Sequence, residues 1–228
     1  MKKALILLFI LIFPSAIYVI LTVGKERTFV LLPYYGPKQP INITVNGKLK
    51  HDTVYYHIPD FKFNNQNGNS VSGESLKGKV WVACFVHIAD KNITPSMAIL
   101  MNRVEERTNL DTSIRLVTFT LDSESSKSMQ DYATMVHAGQ KRIFLSGNAQ
   151  VMSQYAIEGF YKPVDSSYTK GFIQFFLIDK DGSIRGIYNA LRIKDTDKLI
   201  DEISMLEAFY YIKKETKDEK ERDKDEAI

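Results

Sequence analysis

The stretch that decides the fold is Lys79 to Met97, KVWVACFVHIADKNITPSM. Val80 to Val86 is a near-continuous apolar run with β-branched and aromatic members, the pattern of a central strand covered on both faces. A polar loop, Ala89 to Ile93, follows. Thr94 then offers a hydroxyl that can accept from free backbone N–H groups, and Pro95 suits the first position of a helix. Met97, Leu100, Met101 and Val104 recur at helical spacing, so the helix has one apolar face to lay back on the sheet. The segment therefore reads as strand, loop and helix entrance.

Working outward, Ile114 to Leu121 is strand-like, and Met129, Tyr132, Ala133 and Val136 predict a helix over Ser126 to His137. Ile143 to Gly147 reads as a short strand, and Ala149 to Ile157 as a helix that stops at Gly159. Phe172 to Asp179, the turn Lys180-Asp181-Gly182 and Ser183 to Tyr188 form the clearest hairpin in the chain. Thr196 is expected to open a last helix carrying Leu199, Ile200, Ile203, Leu206 and Phe209 on one side. Upstream, His57 to Phe63 is extended, Asn65 to Asn69 is a tight Asn-Gly turn, and Ser75 to Lys79 leads into the central strand. This alternation implies an α/β sandwich.

The two ends read differently. Lys2 and Lys3 precede an uncharged apolar run, Ala4 to Val23, whose 20 residues suffice to cross a hydrocarbon core of about 30 Å. No small-residue cleavage pattern precedes Gly24, so residues 1–23 are expected to be an uncleaved transmembrane anchor rather than a signal peptide. The positive-inside tendency then sends the remainder across the membrane. Residues 24–50, with Pro33, Gly36, Pro37 and Pro40, read as an irregular tether, and Leu32 to Tyr35 either lie at headgroup level or pack on the domain. Residues 51–212 are the folded domain. Residues 213–228, six Lys/Arg against seven Asp/Glu, read as a solvated helical extension or frayed tail. The formal charge of +3 is spread without a basic block, which gives no case for nucleic acid. The single cysteine, Cys84, excludes an intrachain disulfide and an all-cysteine metal site.

These segments together resemble the Sco/SenC family, membrane-anchored proteins of thioredoxin-like fold that help deliver copper to cytochrome c oxidase. The resemblance is carried by LPYYGP at Leu32 to Pro37, HIPDFKFNNQNG at His57 to Gly68, GKVWVACF at Gly78 to Phe85, PSM at Pro95 to Met97, TLD ending at Asp122, and FFLIDKDGSIRGIY at Phe175 to Tyr188. The first two segments look most like members from the Bacteroidetes. The resemblance implies a thioredoxin-like α/β sandwich with a central mixed sheet and a C-terminal hairpin plus helix, behind an N-terminal transmembrane helix. It also implies a bacterial inner-membrane location with the domain facing the periplasm. Family members with copper chemistry carry two cysteines, separated by three residues, just before Pro-x-Met, and a histidine shortly before the Phe-Leu-Ile-Asp strand. Laid on that pattern, this chain has Asp90 and Thr94 at the cysteine positions and Gly171 at the histidine position. Cu(I) is held by soft thiolates and thiol exchange needs a thiolate, so neither chemistry carries over, and no cofactor and no catalytic residue are expected.

Three functions follow in order. The first is a non-redox accessory or interaction protein, whose partner is another envelope protein such as a respiratory oxidase or its assembly factors. The second is a metal carrier, of copper or another ion, that uses non-family ligands such as His87 with Asp90. The third is a thiol oxidoreductase acting through Cys84, although a thiol inside a buried strand is usually inert. His51, His57 and His137 have no evident clustering partner, and Asp122 is expected to cap or turn its loop. Asn42 and Asn92 lie in N-x-[ST] patterns, which matter only in a host that glycosylates.

Overall fold

The structure, a computed structural model, describes residues 13, 31–45, 47–109, 111–160 and 173–225. The expected anchor at residues 4–23, Phe13 apart, and Gly171 both lie outside the described residues. No helix among the described residues is long and apolar enough to cross a membrane.

The strands are β1 (Lys38–Val45), β2 (Lys48–Tyr55), β3 (Lys62–Asn65), β4 (Ser70–Ser72), β5 (Trp81–Val86), β6 (Arg115–Thr120), β7 (Arg142–Ser146), β8 (Gln174–Ile178) and β9 (Ile184–Asn189). The helices are α1 (Ile93–Arg107), α2 (Ser126–Met135), α3 (Ala149–Gly159) and α4 (Ile193–Asp225), with a 3-10 turn at Gly73–Leu76. Seven strands form one sheet in the order β4-β3-β7-β6-β5-β8-β9. The centre, β7-β6-β5, is parallel, and antiparallel strands close both sides. Parallel strands of this kind need crossover helices and end up covered on both faces.

The apolar run of β5 now has its explanation, because all six of its residues are buried. Val82, Cys84 and Val86 face α1 and α4, packing with Met97, Met101, Val104, Leu199 and Ile203. Trp81, Ala83 and Phe85 face the other way, into an aromatic layer with Phe61, Phe119, Phe160 and Phe176 beneath α3. Phe85 and Phe119 stack at 4.9 Å between centroids, and Phe160 meets Phe85 edge-on at 4.8 Å, the arrangements that ring quadrupoles favour. The β8–β9 hairpin turns at Gly182, whose φ of +87° is in the region glycine tolerates.

Several boundaries differ from expectation. The tether is not irregular to residue 50: β1 and β2 pair over eight registers as a separate two-stranded sheet. The compact unit starts at Leu32, and the Leu32 to Tyr35 segment packs on the domain. Arg185, side chain 1% exposed, holds it there: Nη2 donates to the Leu32 carbonyl at 2.5 Å and Nε to that of Pro33 at 3.2 Å. Nη1 donates to Asp179 at 3.0 Å, and the Tyr34 ring lies 3.9 Å from the guanidinium carbon. Leu32 is buried in the core. Gly159 is the last residue of α3, followed by Phe160 at φ −111°, so no left-handed glycine ends that helix. Thr196 does not open α4, which begins at Ile193; its amide and hydroxyl both bond to the Arg192 carbonyl inside the first turn. The helix runs on through the charged segment to Asp225 without a break at 213.

Candidate functional site

The site follows from where β5 and β6 end. Their parallel register sets Val86 opposite Thr120, so the next residues emerge side by side at the same rim of the sheet. Nδ1 of His87 lies 2.9 Å from Oδ1 of Asp122, with the two side chains 39% and 38% exposed. The Asp122 carbonyl accepts from the hydroxyls of Thr120 and Ser146 at 3.2 and 3.3 Å, which pins the loop after β6. Asp122 therefore does more than turn its loop; it orients an imidazole 35 residues away.

The β5–α1 loop closes on itself. The Asp90 amide donates to the His87 carbonyl at 3.0 Å, and the Thr94 hydroxyl donates to the same oxygen at 2.9 Å. Oδ1 of Asp90 accepts from the amides of Asn92 (2.7 Å) and Ile93 (3.2 Å). These free N–H groups at the positive end of α1 hold the Asp90 carboxyl below its usual range. The expected capping role of Thr94 is thus corrected. The helix begins at Ile93, Thr94 already lies in its first turn and is buried, and Asp90 satisfies the amides instead. Pro95 also sits two residues inside the helix start, where its missing N–H is still no loss.

The donor set does not fit a cuprous ion. Asp90 is committed to two amides and Thr94 to a carbonyl, and both offer hard oxygen where Cu(I) favours sulfur. His87 pairs with Asp122, while Oδ1 of Asp90 is taken by the amides of Asn92 and Ile93. Among the described residues no three His, Cys, Asp or Glu side chains come together as a metal-binding group. The other histidines are scattered: His51 is 2.6 Å from Asn42 Oδ1, His57 is 3.1 Å from Ser183 Oγ, and His137 takes a left-handed φ of 53° just after α2.

Cys84 lies on the α1 side of the sheet, 3% exposed, with Sγ 3.5 Å from the Thr118 hydroxyl. Burial pushes its thiol up to about 11, so at neutral pH it is protonated and a poor nucleophile. Met97 and Met101 line the same small internal cavity, but so does the buried guanidinium of Arg142, whose charge opposes a second cation there. Arg142 is paired with Glu105 at 3.2 Å.

The SCO1/SenC family model matches residues 50–208. A "SCO1 protein homolog" of Bacillus subtilis is 28% identical over 166 residues, covering 69% of this chain and 86% of that protein. A SCO1/SenC family lipoprotein from Bacillus anthracis superposes with a TM-score of 0.60 at 21% identity, over 66% of this chain and 95% of its own. BsSco, a member of the Sco family of cytochrome c oxidase assembly proteins in which a disulfide switch was identified, gives 0.59 at 26% identity, over 66% and 93%. Copper-bound ScoI from Bradyrhizobium japonicum gives 0.55 at 19%, over 66% and 99%, a likeness of fold.

Proposed function

Because the chain belongs to the SCO1/SenC family, we propose that it is a non-redox, non-enzymatic member that acts by binding another protein of the cell envelope. The observation that carries this reading is the state of the β5–α1 corner. The residues at the family's cysteine positions, Asp90 and Thr94, are consumed in holding the corner together, and the chain's single cysteine is a buried thiol. The fold that presents the corner is kept while soft ligands and a thiolate are not. Gly171, at the family's histidine position, brings no ligand side chain.

Residues 4–23 anchor the protein in the bacterial inner membrane in a single pass, and the domain faces the periplasm. The 26% identical BsSco, named as one of the cytochrome c oxidase assembly proteins, supports a partner among respiratory oxidase subunits or their assembly factors. The test is a titration of the purified full chain, in detergent, with Cu(I) and then Cu(II). No stoichiometric sub-micromolar binding is expected; finding it overturns the reading. Crosslinking in native membranes checks the partner, and recovery of unrelated envelope proteins alone would remove the oxidase assignment.

One observation favours a second reading, a metal carrier that uses His87. A carboxylate on one imidazole nitrogen orients the ring and leaves the other nitrogen to face a ligand, the usual support of a metal-ligating histidine. His87→Ala then abolishes metal retention by the purified chain. Unchanged metal content removes this reading.

A further inference from the structure

The β1–β2 ribbon stands apart from the seven-stranded sheet and has no core of its own. None of its described side chains is buried, although two-stranded ribbons are marginal in water unless something covers them. Three large apolar side chains are exposed on it, Ile41 at 37%, Val54 at 43% and Leu49 at 70%. Leu49 lies near the end of the ribbon at Gly47, opposite Thr44 and between Lys48 and Lys50 in sequence. With Lys38, the ribbon carries three lysines against one acid, Asp52.

We propose that this ribbon is a membrane-contacting element, its turn end resting among anionic lipid headgroups with Leu49 entering the acyl boundary. The inference rests on the anchor reading above. Nine residues, 24–32, lie between the apolar run and the point where Arg185 grips the chain. Extended residues span about 3.3–3.6 Å each, so with the run in a bilayer Leu32 stays within about 30 Å of it. β1 starts six residues further on. Leu49 projects from one face of the ribbon and Lys48 and Lys50 from the other, so an end-on approach lets the leucine enter the acyl boundary while the lysine stems lie along it with their ammonium groups among the headgroups. Anionic lipid also supplies the charge that the lysine excess calls for. A second copy is less suited to the ribbon, because lysines and the β1 proline, Pro40, are edge features that oppose strand-to-strand pairing.

The test places a reporter at the turn end of the full chain in vesicles of phosphatidylcholine and phosphatidylglycerol. Leu49→Trp is compared with Ile99→Trp, an α1 position exposed to a similar 67%, and with the parent, whose only tryptophan, Trp81, is buried. Lipids carrying a spin-label quencher on the acyl chain are expected to quench Leu49→Trp at least twofold more than either control. Adding Lys48→Glu and Lys50→Glu, or omitting phosphatidylglycerol, should abolish the excess. Quenching of Leu49→Trp no greater than that of Ile99→Trp overturns the proposal. So does an emission shift that follows protein concentration rather than lipid, the mark of a second copy on the ribbon. Alkaline carbonate extraction of the same vesicles separates the two readings. A chain retained without excess quenching sinks the ribbon contact and keeps the anchor, whereas a chain released without quenching sinks both.

Discussion

Replacing Arg185 by Ala would test the link between the N-terminal segment and the domain. The guanidinium is fully enclosed and bonds three ways, to Asp179 at 3.0 Å, to the Leu32 carbonyl at 2.5 Å and to the Pro33 carbonyl at 3.2 Å. Removing one partner of a buried pair costs about 3–5 kcal/mol, because the other charge is left enclosed and unpaired. Asp179 would still accept from the amides of Asp181 (3.1 Å) and Ser183 (2.8 Å) through its other oxygen, which places the cost at the lower end. Water can reach the freed carbonyls of Leu32 and Pro33 only if the segment lifts away. The expected loss is therefore about 3 kcal/mol, or about 6–12 °C in Tm for a domain of this size. The assay is urea unfolding of the full chain in detergent, followed by the emission of Trp81, the only tryptophan. Chymotrypsin should cut the variant first at Tyr34 and Tyr35. Arg185→Lys, which keeps charge but loses the planar fork, should fall between variant and parent. A loss below about 1 kcal/mol, the worth of an exposed pair, with no new cleavage would refute the idea that Arg185 clasps this segment.

Two further outcomes follow from the corner itself. Cys84 should resist a small alkylating reagent at neutral pH in the folded protein and react fully once the chain is unfolded, since burial raises its thiol to about 11; rapid native labelling would revive a thiol function. Asp90→Asn should destabilise the protein near neutral pH, and the gap from the parent should close on acidification. The folded carboxyl titrates below its usual value, so its stabilisation is complete above the unfolded-state value of about 3.9 and is lost as pH falls through the lowered folded one. A gap that does not change between pH 7 and pH 2 would mean that the negative charge of Asp90 plays no part.

Much of the scaffold was legible because it is written in local pattern. The run Val80 to Val86 announced a strand buried on both faces, and all of it is buried. The Asp-Gly turn between β8 and β9, and the apolar spacing of α1 and α2, likewise depend on residues close in sequence. The β1–β2 ribbon has only a weak mark in the sequence, Asn46-Gly47 between two runs of alternating residues. Prolines and polar side chains obscured it, since the ribbon has no buried face to give the alternation contrast. At the corner, the loop and helix are readable from residue type, but the amides at the helix start are satisfied from Asp90, before the position that the Thr94 hydroxyl suggests. Asp90 reaches forward two and three residues to its amides, and nothing in the sequence distinguished its carboxylate from the Thr94 hydroxyl as their acceptor.

By itself the sequence determined the strand-loop-helix corner, the protonatable groups on it, and the fact that one cysteine is available to the whole chain. Those are properties of residue type and of periods two and 3.6, which act over short separations. Only the tertiary structure decided that His87 faces Asp122, that Arg185 grips the chain near Leu32, and that Cys84 is sealed between the sheet and α1. Each of these depends on strand register and layer packing, which bring together residues as far as 153 positions apart. The reactivity of the Cys84 thiol is set by that enclosure, because desolvation acts on the folded neighbourhood and not on the neighbours in the chain.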